Sequence, residues 1–364
     1  MILITGGTGT VGSHVVELLL DRGEAVRVLA RDPHAARSKL GQRAEIAQGD
    51  FGDPDSLLAA LRGADRLFLL TSRTTEPGTQ LEHERALIAA ATESGVRHVV
   101  KLSVLGADER SPISYARMHR DAERELEASG LARTILRAEA FMQNFFETVV
   151  EGAVHTCAQD GRVAMVDTRD IAAVAATILA APERHEGKTY ALTGPAGITF
   201  DEAARALSAA TGRAIRHVRV PPEGFIEAMT SAGQPRWFSE DLAAQYGVFA
   251  AGRGEPPSGD VAAVTGREPR SLADFAREAF AGSHPGGAQA HDADMDRRAF
   301  LGGAAALGAT ACTMSPSSVN HCTSPVSASS TAATILVACT SRPTRLLAFA
   351  MAGSSSAIVG RRAG

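Results

Sequence analysis

Lysine is nearly missing from this chain of 364 residues: of 37 basic residues only Lys39, Lys101 and Lys188 are lysine, and the rest are arginine. Together with abundant alanine, that imbalance reads as GC-rich coding bias rather than function. Cysteine is also scarce. Cys157, Cys312, Cys322 and Cys339 are scattered and form no CxxC pair. That excludes a disulfide scaffold and gives no zinc motif, so no metal is expected. A basic surplus is absent too. The net charge of -4 argues against a nucleic-acid-coating protein. No apolar run reaches the ~18–20 residues that would span a bilayer, so no membrane partner is expected. No charged and apolar leader precedes the first strand, and the expected location is the cytoplasm. What is present is an ordinary globular composition, 45% hydrophobic and 21% charged. At about 150 residues per domain, the length allows one large domain or two small ones.

Residues 1–138 alternate strand and helix signals. Strands are expected at 2–5, 25–30, 44–49, 66–72, 98–103 and 134–137. Helices are expected at 11–22, 55–61, 81–94 and 114–129; in the first, Val11, Val15, Leu18 and Leu19 share one face. Such alternation implies an α/β fold of Rossmann type, a doubly wound parallel sheet with helices on both faces. Residues 139–282 read as mostly a smaller α+β substrate lobe. It has helices at 167–181, 199–211 and 271–280, and strands at 189–193 and 218–220. Thr199 and Glu202 have capping-box spacing. Asp167 and Asp170 are expected to cap and orient the helix that begins there. From about Ser283 to Gly364 there is no Lys and no Glu, while Ala, Ser, Thr and Gly dominate. That composition cannot offset its ordering entropy, and a disordered tail is expected.

The chemistry begins at Gly6-Gly7-Thr8-Gly9-Thr10-Val11-Gly12, which places Gly6, Gly9 and Gly12 between a strand and a helix. Gly6 permits the tight turn, Gly9 lets the backbone approach a pyrophosphate, and Gly12 allows close helix–strand contact. The helix N-terminus offers free N–H donors and partial positive charge to the anion. The second strand ends at Arg31-Asp32, where a dinucleotide fold chooses its cofactor. An acid there bonds a ribose 2′-hydroxyl, whereas an arginine clamps a 2′-phosphate. Arg31 favours NADP(H) over NAD(H). Asp50 and Phe51, after the third strand, are expected against the adenine, although Gly-Asp is also common turn chemistry. Thr71 and Ser72, after the fourth strand, sit at the switch point where the ribose–nicotinamide half belongs.

With these residues in place the chain resembles the NmrA-like branch of the atypical short-chain dehydrogenases/reductases, and within it the bacterial NAD(P)H:quinone-reductase type. The resemblance covers residues 1–282. It rests on the glycine loop, Arg31, Gly49-Asp50, Lys101-Leu-Ser103, the run from His119 to Glu123, and Ser129-Gly-Leu131. Phe141-Met-Gln-Asn144 and the segment from Val166 to Ala172 complete it. One departure is visible, Ala138 where the family usually has proline. The resemblance implies an NAD(P)-binding domain plus a small lobe, with a substrate pocket walled near Phe141, Asn144 and Phe145. It also implies either a reductase or a redox sensor without activity.

Dehydrogenases of the parent superfamily use Ser, Tyr and Lys, with Tyr and Lys four residues apart on one helix. The tyrosine donates a proton and the lysine lowers its pKa. Here Ser103 and Tyr115 stand near the expected places, and His119 takes the lysine's position. A histidine is mostly neutral at pH 7 and supplies no permanent charge. Glu123, four residues on, is expected to orient it; a plain surface His–Glu pair is the other reading. Carbonyl reduction is therefore disfavoured. Hydride transfer to a quinone needs less acid help, because the hydroquinone anion is delocalised. The expected function is an NADPH-dependent oxidoreductase acting on a quinone-like small molecule, as monomer or homodimer. The alternative is a non-catalytic NADP(H) sensor with a protein partner. An epimerase-like enzyme is disfavoured by the missing Tyr–Lys pair. In the tail, the segment from Met295 to Cys312 resembles a twin-arginine signal with a lipoprotein cysteine. Internal as it is, it should be inert, and a run-together of two reading frames is the favoured origin.

Overall fold

The computed structural model describes residues 1–71 and 76–280. The expectations for Ser72 and for residues 283–364, the disordered tail and the twin-arginine segment among them, lie outside the described residues.

The first half runs β1 (Ile2–Ile4), α1 (Gly12–Asp21), β2 (Val26–Ala30), α2 (Pro33–Leu40), β3 (Glu45–Gln48), α3 (Pro54–Leu61), β4 (Arg66–Leu69), α4 (Thr79–Glu93), β5 (His98–Val104), α5 (Ser114–Ala128) and β6 (Ala132–Ala138). The second half runs α6 (Phe145–Thr148), β7 (Val149–Val150), β8 (Ala153–Thr156), α7 (Thr168–Ala180), β9 (Thr189–Leu192), α8 (Phe200–Thr211), β10 (Arg216–Arg219), α9 (Pro222–Ser231), α10 (Arg236–Ala250), α11 (Asp260–Thr265) and α12 (Leu272–Phe280). Seven strands form one parallel sheet in the order β3-β2-β1-β4-β5-β6-β9. The chain reverses direction across the sheet between β1 and β4. Ligands of open α/β sheets bind beyond the strand C-termini at such a point.

Side-chain alternation along the strands makes two cores. Ile2, Ile4, Phe68 and Val100 join Val15 and Leu19 of α1 and Ile171, Val174 and Ile178 of α7 on one face. Leu3, Leu67, Leu69 and Val99 join Leu57 and Leu61 of α3 and Leu87 of α4 on the other. A period of two in burial on a sheet covered on both faces explains why these strands read as continuous apolar runs.

Two corrections concern the second half. The span 139–282 was expected to be mostly the small lobe, yet β9 pairs with β6 and α7 packs on α1, so both return to the large sheet. The expected strand at 218–220 lies at 216–219, and β8 and β7 join it to make a separate three-stranded sheet. The β7–β8 turn carries Glu151 and Gly152 at φ 50 and φ 72. Two successive positive φ values suit a tight hairpin, but Glu-Gly is a weaker signal than Asn-Gly. The small lobe has its own core, in which Tyr246 meets Phe200 and Phe225 edge-on at 5.5 and 5.3 Å.

Capping sets several helices. Thr199 and Glu202 form the expected capping box on α8. Asp167 caps α7, and Asp170 in its first turn holds the backbone N–H and guanidinium of Arg270. Helix α5 has no side-chain cap of its own. Asp241 of α10 supplies one, accepting from the N–H groups of Ser114 (2.8 Å) and Tyr115 (3.0 Å) and from the Ser114 hydroxyl. Losing this cap should cost about 1–2 kcal/mol. We expect Asp241→Ala to lower stability by that amount in urea denaturation. An unchanged midpoint would show that α5 does not depend on α10.

Candidate active site

The glycine loop is built by contacts that only glycine permits. Gly6 adopts φ 64. A Cβ on Gly12 would stand 2.2 Å from the Gly6 carbonyl oxygen, and one on Gly7 2.7 Å from Val28. The Thr5 hydroxyl anchors the loop to the end of β4, donating to the Leu70 carbonyl (2.8 Å) and accepting from the Leu70 N–H (2.9 Å). Helix α1 then starts at Gly12 with no side-chain cap and no acidic residue in its first turn. The Gly9 carbonyl takes the Ser13 N–H (3.0 Å), and no side chain or acid of the chain competes with an outside anion for the start of the helix, as a dinucleotide pyrophosphate would require.

At the end of β2 the acid and the base divide. One oxygen of Asp32 accepts from the N–H groups of His34 (2.9 Å) and Ala35 (3.0 Å), so this carboxylate caps α2. Arg31 is exposed. Lys39, on α2, reaches back and donates to the Thr8 carbonyl at 2.6 Å, placing an ammonium beside the glycine loop. The sequence reading missed Lys39 because it missed α2, a short helix that buries only Ala36. The signal was there in Asp32-Pro33, an N-cap followed by proline.

The adenine candidates are partly committed. Asp50 accepts from the Gly52 N–H at 2.8 Å, which is turn chemistry, and Phe51 lies stacked on His83 at 5.1 Å. Thr71 departs from its expected place, for its hydroxyl turns inward to Glu84 at 2.8 Å.

That bond belongs to a buried polar network between the sheet and helices α4 and α5. Lys101 on β5 and Glu84 on α4 are both almost fully buried and form an ion pair. Burial pushes the Glu84 carboxyl upward, but the Lys101 ammonium and the Thr71 hydroxyl outweigh it, and the net direction is down. The His119 ring lies 3.4 Å from Lys101 through Nδ1 and 3.3 Å from the Gln80 amide through Nε2. Burial and then the Lys101 cation lower the His119 pKa to about 4. The imidazole is neutral at pH 7, as expected. Its partners differ from expectation, because Glu123 does not orient it. Glu123 is fully buried and takes the Ser103 hydroxyl (2.6 Å), the Arg137 guanidinium and Arg120 (3.1 Å). Ser103 is thus spent inside the structure. A cation does stand beside the His119 ring, supplied from β5 by Lys101 and already matched by Glu84. Its signal in the sequence is a lysine inside an otherwise apolar strand.

Tyr115 is half-buried, one turn before His119. Burial, with Asp241 and Glu139 nearby, holds its phenol above the ordinary range. Of the three pocket residues, Phe141 is half-buried and Asn144 exposed, while Phe145 sits in the small-lobe core edge-on to Phe200 at 6.4 Å. Phe145 is therefore a packing residue and not a pocket wall. Among the described residues no group of three or more His, Cys, Asp or Glu could hold a metal ion.

Comparison with known proteins follows the same outline. The profile of the NmrA-like family matches residues 1–276. An NAD(P)H azoreductase of Xenophilus azovorans is 36% identical over 287 residues, covering 76% of this chain and 97% of the relative. The crystal structure of an NADPH-dependent quinone oxidoreductase of Escherichia coli, complexed with NADPH, superposes with a TM-score of 0.69 at 29% identity, over 77% of this chain and 100% of that one. A triphenylmethane reductase of Citrobacter sp. complexed with NADP(H) gives 0.69 at 28%, with the same coverage.

Two outcomes test the network. Lys101→Met leaves the buried Glu84 carboxylate without its cation and should cost about 3–5 kcal/mol; adding Glu84→Gln should recover most of the loss. A double variant as unstable as the single one would show that the pair is not a unit. The second concerns pH. The unfolded imidazole binds a proton near 6.5, and the folded one only near 4. Stability is therefore complete above about 6.5 and is lost as pH falls toward 4. His119→Asn should flatten the stability curve across that window in chemical denaturation; an unchanged slope would show that His119 is not kept neutral by the fold.

Proposed function

This chain belongs to the NmrA-like family, and we propose that within it the protein is an oxidoreductase that uses NADPH in preference to NADH and passes hydride to a quinone-like conjugated acceptor. The observation that carries the cofactor half is the division at the end of β2. Asp32 is consumed as the cap of α2, while Arg31 is exposed at the strand end and Lys39 donates to the Thr8 carbonyl of the glycine loop. Gly6, Gly9 and Gly12 with the uncapped start of α1 would hold the pyrophosphate, and Arg31 with Lys39 the 2′-phosphate. When bound, the nicotinamide supplies the hydride.

The acceptor half rests on what the chain's acid–base groups can do. The Tyr115 phenol is held above its ordinary pKa, the His119 ring is neutral, and the Lys101 charge is matched by Glu84. A phenol without a nearby unpaired cation is a poor acid for a simple carbonyl. A conjugated acceptor asks less, because its reduced anion is delocalised. The relatives above are named for azo, quinone and triphenylmethane acceptors, all conjugated systems. A sensor reading draws on a different observation, that the hydroxyls of Ser103 and Thr71 are both spent on buried carboxylates.

Purified protein should oxidise NADPH with quinones faster than with simple aldehydes, and should bind NADPH more tightly than NADH. Arg31→Ala should weaken NADPH binding by about 1.5–3 kcal/mol and leave NADH nearly unchanged. Equal affinity for both cofactors in the unaltered protein would sink the NADPH preference. Tight NADPH binding with no oxidation by any acceptor would hand the site to the sensor reading.

A further inference from the structure

Residues on β5, β6 and α5 form a ladder on one face of the large sheet. Lys101 and Ser103 alternate onto it from β5, and Ser103 is paired in register with Arg137 of β6. From above, α5 presents Glu123, His119 and Tyr115 at successive turns. The lower rungs are complete, since Glu123 answers Ser103 and Arg137, and Glu84 answers Lys101. The next residue on the Arg137 side of β6 is Glu139, just past the C-terminal end of the strand. It is 5% exposed, and its backbone N–H donates to the Leu192 carbonyl of β9 at 3.0 Å. No arginine or lysine pairs with it among the described residues. One carboxyl oxygen accepts from the adjacent Ala140 N–H at 2.9 Å. The other has no hydrogen-bond partner among the described residues. The titratable groups that interact with it electrostatically are Tyr115 of α5 and Glu255 in the loop that follows α10; Asp241 of α10 acts on the same Tyr115 phenol. None of them is a cation.

Resting on the reductase reading above, we propose that the Glu139 carboxyl is the proton donor to the reduced acceptor. Bound NADPH would supply the hydride that adds to the acceptor and would be left as NADP+. The anion that develops on a quinone oxygen or azo nitrogen would take the Glu139 proton, and the carboxylate left behind would be reprotonated from water. One hydride and one proton then account for the two-electron reduction. Burial pushes the Glu139 carboxyl up to about 7; the Ala140 N–H pulls it back in part, and Glu255 adds to the rise. An acid of that strength is partly protonated at neutral pH, which suits a group that must give and regain a proton in each cycle. The site then has its acid on the strand end, where the sheet meets its ligand, and not on the helix.

Two measurements on the full chain decide this. Carbon-13 NMR of protein labelled at the glutamate carboxyls should show one resonance titrating near pH 7 that is missing in Glu139→Gln. In parallel, NADPH oxidation with para-benzoquinone at saturating NADPH should fall as pH rises through about 7. Glu139→Gln should lower kcat roughly tenfold or more at about pH 6 and remove that pH limb, while Glu139→Asp restores part of both. NADPH affinity, read by fluorescence, should change less than about twofold. Glu139→Gln turning over as fast as the unaltered protein, or no carboxyl titrating near neutrality, overturns the donor and leaves the reductase reading standing. Unaltered protein that oxidises NADPH with no acceptor overturns the reductase reading and the donor with it.

Discussion

An ionised group taken out of water must find its opposite at hydrogen-bond distance, or lose its charge. The face of the sheet under α4 and α5 is organised by that requirement. Lys101 cannot lie in an apolar strand without Glu84, and Glu84 cannot lie under α4 without Lys101 and Thr71. Glu123 draws in Ser103, Arg137 and Arg120 for the same reason. These pairs fix the height and rotation of both helices over the strands, and so decide what His119 and Tyr115 can touch. Glu139 is the one acid of the ladder left without a cation, and its charge yields instead.

On the proposed reading, the two halves of the chemistry are held by different physics. The cofactor end is backbone and glycine, where a loop closes so tightly that a methyl group on Gly12 would strike the Gly6 carbonyl. It presents N–H dipoles, with the Lys39 ammonium on the Thr8 carbonyl at its margin. The acceptor end is a set of side chains whose charges are mostly cancelled internally, with Glu139 the exception. The first half would grip an anion through backbone dipoles, whereas the second would act through that single acid.

Much of the fold was legible in the sequence, because parallel strands covered on both faces read as apolar runs broken by turn residues. The strands 2–5 and 98–103 and the helix 114–129 come out within a residue or so of the structure. The glycine loop was legible for the same local reason, since its geometry is set by the chain's own neighbours. Short or polar elements were lost. Helix α2 buries only Ala36, and β7 has two residues. The side-chain partners were lost for another reason. That His119 faces Lys101 and not Glu123 depends on the height of α5 above β5, which no spacing within α5 encodes. Phe145 likewise reads as a pocket aromatic in its motif, and only the packing against Phe200 makes it core.

The cap that Asp241 places on α5 ties two distant stretches of chain into one cooperative unit. The first turn of α5 carries Tyr115, and its N–H groups are satisfied by α10 of the small lobe. Whenever α10 lifts away, those amides lose their acceptor, and the turn that carries the phenol is the part of α5 left to fray. Opening of the small lobe and loosening of α5 thus belong to a single sub-global event rather than two. The small lobe is in this way coupled to the turn that carries Tyr115 through one carboxylate.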